Sequence, residues 1–104
     1  MYRLPRSLGS TLLAGALLAG GTANAADDPQ VRAWAATCAA CHGTDGHSVG
    51  GMPPIAGEPH DRLYQRLLAF KNGTRPATVM HQHAKGYTDE ELERLATYFS
   101  RQRP

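Results

Sequence analysis

Three stretches of the chain place apolar residues at helical spacing, and polar segments rich in glycine and proline separate them. The first opens at Asp28-Pro29, a side-chain N-cap followed by proline at the first helical position, and runs through Val31, Trp34 and Ala35 to about Cys41. The second follows Pro59 and spans His60 to Lys71. Its residues Leu63, Tyr64, Leu67, Leu68 and Phe70 recur at near-helical intervals, and Asn72-Gly73 ends it. The third begins at Thr88 with Glu91 three positions on, a capping box. Asp89, Glu90 and Glu91 occupy its first turn and Arg101 and Arg103 its far end, as the helix dipole favours, while Leu92, Leu95, Ala96 and Phe99 make one stripe. No segment alternates over strand length. The pattern predicts an all-α single domain of three main helices, with long loops at 43–57 and 73–86. Loops of that length in a compact domain are usually functional or disordered, and wrapping a cofactor would account for both.

Ahead of these helices the pattern changes. A basic start, Arg3 and Arg6, precedes an apolar run from about Leu8 to Ala19, which is shorter than the roughly 20 residues that span a bilayer. Ala23-Asn24-Ala25 supplies the small residues of a signal-peptidase site. We therefore expect residues 1–25 to be a cleaved export signal and 26–104 the mature domain. The expected location is the periplasm, with no membrane insertion after cleavage. Of eleven basic and nine acidic residues, Arg3 and Arg6 leave with the signal, so the remainder is balanced. Its basic residues are scattered, which leaves no electrostatic footprint for nucleic acid or an acidic membrane.

A domain of about 80 residues rarely buries enough apolar surface to stand without a staple. The only cysteines, Cys38 and Cys41, are too close in sequence for a bridge to constrain much of the chain. A covalently held cofactor fills the centre more effectively. Cys38-Ala39-Ala40-Cys41-His42 is the attachment pattern for c-type haem. Positions three and four apart share a helix face, so two thiols can reach the vinyl groups while the His42 imidazole reaches iron. A thioredoxin-like pair lacks its βαβ context, and a zinc site lacks two further ligands at suitable spacing.

An electron-transfer haem usually pairs histidine with methionine or a second histidine. Met80, in the second long loop, is the expected second ligand. Met52 and the histidines are its competitors; His47, His60, His81 and His83 read as solvent-facing residues outside the apolar stripes, the last two in the loop beside Met80 and so the foremost competitors. A ligating histidine also needs its other ring nitrogen held, and a carbonyl in the stiff Pro53-Pro54 turn suits that role.

With these residues in view, the chain resembles the class I c-type cytochromes over nearly all of residues 29–102. Cys38-x-x-Cys41-His42-Gly43, Pro54-Ile55-Ala56-Gly57 and Leu95-Ala96-Thr97-Tyr98-Phe99 carry the likeness. Met80-His81-Gln82-His83-Ala84-Lys85-Gly86-Tyr87-Thr88 is similar to the cytochrome subunit of flavocytochrome c sulfide dehydrogenases. The better-known subunits of that group have two haem domains, whereas this chain has one attachment motif. The resemblance implies a cytochrome c fold around one covalent haem c, Met80 on iron, and the Pro54 carbonyl accepting from His42. It also implies single-electron transfer without catalysis by the chain alone, with a flavoprotein sulfide dehydrogenase subunit as redox partner. A free carrier between respiratory complexes is the alternative, and a haem ligand sensor a more distant one. The glycine-rich stretches around Val49–Met52 and Ala77–His83 are expected to border the exposed haem edge.

Overall fold

The computed structural model describes residues 28–104, together with Gly20; the expected leader otherwise lies outside the described residues. Four helices follow in order: α1 (Pro29–His42), α2 (His60–Asn72), α3 (Met80–Lys85) and α4 (Asp89–Ser100), with a short 3-10 turn at Thr44–Gly46 after α1. No strand occurs among the described residues, and none of their helices is long and apolar enough to cross a membrane.

Local chemistry sets most of these boundaries. The Asp28 carboxylate accepts from the Gln30 N–H at 2.8 Å, with Pro29 opening α1. Gly73 closes α2 in the left-handed conformation, and its N–H reaches back to Phe70. The capping box of α4 is complete. Thr88 Oγ1 accepts from the Glu91 N–H at 3.2 Å, and the Glu91 carboxylate accepts from the Thr88 N–H at 3.3 Å.

The core is the α4 stripe pressed against α1 and α2. Leu92, Leu95, Ala96, Tyr98 and Phe99 are buried with Val31 and Ala35 of α1 and Leu63 of α2. Polar clamps fix the α1–α4 crossing. Arg94 donates to Asp28, and its guanidinium lies 4.9 Å from the centre of the Trp34 ring. At the other end, the Tyr98 hydroxyl donates to Asp45 in the 3-10 turn. Burial, with Asp45 adding to it, pushes the Tyr98 phenol up to about 12.

One expectation needs correction. The stretch 73–86 is not a continuous loop, because α3 forms within it and packs on α2. At six residues, α3 is too short to show an apolar stripe, and only Ala84 is buried in it. No side chain caps it. Packing against α2, rather than propensity, holds it in place.

Candidate haem site

The unbroken run of α1 through His42 puts Cys38, Cys41 and His42 on one face of its last turns. All three open onto a single cleft enclosing about 1120 Å³, its mouth included. Leu63, Leu67 and Phe70 of α2 form one wall, and Ala96 and Phe99 of α4 close the back. From α3 and its approach come Val79, Met80 and His83. Met80 and His83 are three apart, so they share the helix face that looks into the cleft. The walls are largely hydrocarbon.

His42 is oriented by the backbone. Its Nδ1 lies 2.8 Å from the Pro53 carbonyl oxygen. A carbonyl can only accept, so Nδ1 carries the hydrogen and the Nε2 lone pair is left for a metal. The accepting carbonyl belongs to Pro53 and not, as expected, to Pro54. The reason is a long-range anchor. The Gly46 carbonyl accepts from both Ile55 N–H (3.0 Å) and Ala56 N–H (3.2 Å), which pins the chain just beyond the prolines. With the loop held there, the Pro53 carbonyl meets the imidazole.

Burial pushes the Cys38 thiol up, with Thr37 only partly offsetting it. That is opposite to the lowered value of a thiol that works as a redox or nucleophilic thiolate. Among the described residues no three His, Cys, Asp or Glu side chains converge as a metal site. Two thiols, an imidazole with a free Nε2, a thioether and apolar walls form a donor set suited to a covalently attached haem.

Of the competing ligands, Met52, Met80 and His83 line the cleft and His47, His60 and His81 do not. Met52 also lines the cleft, but it precedes Pro53 and so belongs with the segment that holds His42 Nδ1. His83 lines the cleft, while His81 does not, and the buried Nδ1 of His81 has no partner among the described residues. His60 opens α2, as the predicted helical span has it, whereas His81 and His83 are helical rather than loop residues, contrary to expectation. His47 lies in the loop, with its ring nitrogens against the Thr44 and Arg103 carbonyls. Of the two stretches expected at the mouth, Met52, Val79, Met80 and His83 line the cleft, and Val49 is fully exposed. Arg66, Arg75, Thr37 and Tyr87 also line it, none of them singled out from sequence. Arg66 is a polar position beside the apolar stripe of α2 and Arg75 lies in the segment after it, and periodicity assigns such positions to solvent by default.

Residues 25–99 match the family described as cytochrome C oxidase, cbb3-type, subunit III. The chain is 51% identical over 63 residues to the cytochrome subunit of sulfide dehydrogenase from Chlorobaculum tepidum, covering 61% of this chain and 57% of that one. It is 41% identical over 63 residues to a cytochrome c-552 from Acidithiobacillus ferridurans, covering 61% of this chain and 27% of that one. A solved cytochrome c4 from Acidithiobacillus ferrooxidans superposes with a TM-score of 0.58 at 41% identity, over 61% of this chain and 37% of the other. The aligned part thus spans between about a quarter and somewhat over half the length of these relatives.

Proposed function

The chain belongs to the class I c-type cytochromes, within the family described from subunit III of cbb3-type oxidases, and from that premise we propose that its single haem c lies in the cleft between α1, α2, α3 and α4. Cys38 and Cys41, which both line the cleft, would hold it covalently through their sulfurs. His42 through Nε2 and Met80 through its sulfur would hold the iron. The observation that carries this reading is the convergence of all four side chains on one apolar cleft, with His42 already oriented by Pro53.

Bound haem supplies one-electron chemistry at iron. The protein's part is to fix the ligands and keep water from the ring. With His42 and Met80 as the residues that would hold the iron, the chain serves electron transfer rather than catalysis. Met52 and Val79, respectively 39% and 46% exposed, lie at the cleft mouth where a redox partner can approach. That partner is a flavin-containing sulfide dehydrogenase subunit, by analogy with the cytochrome subunit named above. Residues 1–25 act as a cleaved export signal that delivers the domain of residues 26–104 to the periplasm.

Two measurements test this reading. In the haem-loaded protein, Met80→Ala should abolish the weak sulfur-to-iron band near the red end of the oxidised spectrum, and Met52→Ala should keep it. The Met80 substitution is also read in a His81→Ala, His83→Ala background, because His83 shares the α3 face and can replace the sulfur. An intact band in Met80→Ala overturns the assignment. Purified from its host, the cytochrome should co-elute with a flavoprotein at high salt, and sulfide should reduce it only in that company. Elution alone, with equal reduction by unrelated redox proteins, would establish a free carrier instead.

A further inference from the structure

The cleft wall holds two arginines, and their surroundings differ. Arg66 of α2 donates from Nη1 to the Glu58 carboxylate at 2.7 Å, and both side chains are largely shielded from solvent. Its charge is answered within the fold. Arg75 stands just past the end of α2, where the Ala69 carbonyl accepts from its N–H at 3.2 Å. Its guanidinium lies 5.4 Å from the centre of the Phe70 ring, and Phe70 lines the same cleft. Among the described residues no carboxylate pairs with it. Because Arg75 is exposed and yet lines the cleft, it sits at the mouth.

A planar guanidinium held at the lip of an apolar cleft, without an acid of its own, suits a bidentate anion. Haem brings two carboxylates into a cleft whose lining contains no acidic side chain. We propose that Arg75 is the anchor for a haem propionate, while Arg66, already neutralised by Glu58, supports the wall. This rests on haem occupying the cleft as described above. The role has an electrostatic consequence. A fixed positive charge beside the cofactor favours the reduced iron, which carries one positive charge fewer, so Arg75 raises the reduction potential.

The test compares potentials of haem-loaded Arg75→Gln, Arg75→Lys and Arg62→Gln with the parent. Arg62 is exposed on α2 and outside the cleft, so it controls for net charge alone. Arg75→Gln should weaken the equilibrium for reduction by about three- to tenfold, the scale of one charge acting through a partly solvated cleft. Arg75→Lys should keep most of the parental value, and Arg62→Gln should be indistinguishable from the parent. If Arg75→Gln accumulates poorly, Arg75→Met, which retains an apolar stem over Phe70, is judged by the same criterion. An unchanged potential in the neutral variant overturns the proposal, as does an equal fall in Arg75→Lys. Covalent haem and the sulfur-to-iron band, recorded on the parent, show separately whether the site itself is correctly assigned.

Discussion

Replacing Gly46 by alanine probes the link between the fold and the haem ligand, because Gly46 fixes the loop that orients His42. Its φ of +84° lies in the region that side chains avoid, and a Cβ there would meet Ala56 N at 2.8 Å, Ile55 Cγ1 at 2.8 Å and Phe99 Cδ1 at 3.1 Å. The left-handed conformation alone costs roughly 1–2 kcal/mol for a residue with a Cβ. Crowding against backbone and core adds about 1–3 kcal/mol. Gly46→Ala should therefore lose about 2–5 kcal/mol. Two other glycines separate these contributions. Gly73 has φ +77° with nothing within 4 Å of its Cβ position, so Gly73→Ala should show the conformational cost without the clash. Gly50 has open space and no positive φ, so Gly50→Ala should stay within about 0.5 kcal/mol of the parent. Denaturant unfolding of the haem-loaded variants, followed by far-ultraviolet circular dichroism, reads the series. The order Gly50, Gly73, Gly46 in increasing loss is required. Gly46→Ala at parental stability would refute the reasoning.

Two further perturbations address the core and its polar clamp. Leu92 is 1% exposed at the centre of the α4 stripe, so Leu92→Ala should cost about 2–5 kcal/mol. In the same denaturant titration, a loss below about 1 kcal/mol would contradict its central placement. Tyr98 is held neutral in the fold, with its phenol pushed up to about 12 from an ordinary value near 10. A raised value means that its stabilisation is complete below about pH 10 and is lost as pH rises towards about 12. Tyr98→Phe should be less stable at neutral pH by about 1–3 kcal/mol, the scale of a hydrogen bond to a carboxylate, and should lack that alkaline decline. Parallel pH–stability curves for the two proteins would rule out the Tyr98–Asp45 clamp as its cause.

The parts of this fold that could be read in the sequence are those fixed by neighbours along the chain. Asp28 and Pro29 announce α1, Gly73 stops α2, and Thr88 with Glu91 opens α4, since each works through bonds spanning a few residues. The grouping of Cys38, Cys41 and His42 follows from helix geometry alone. What escaped depends on contacts between distant segments. α3 has no cap and one buried residue, so it exists by packing on α2. The choice of Pro53 over Pro54 was undetermined locally, because the Gly46 carbonyl decides it from across the loop. Arg66 and Arg75 fall outside any apolar stripe, and only the folded wall of the cleft reveals them.

Covalent attachment of a single haem at Cys38 and Cys41 is the claim on which the account turns. Intact mass of the protein, produced in the periplasm with haem-maturation machinery, measures it directly, together with acid–acetone extraction of the same sample. The account predicts a mass equal to residues 26–104 plus one haem, with the colour remaining on the protein after extraction. Haem that partitions into the solvent and leaves a bare polypeptide, or a coloured chain that still retains residues 1–25, would contradict it.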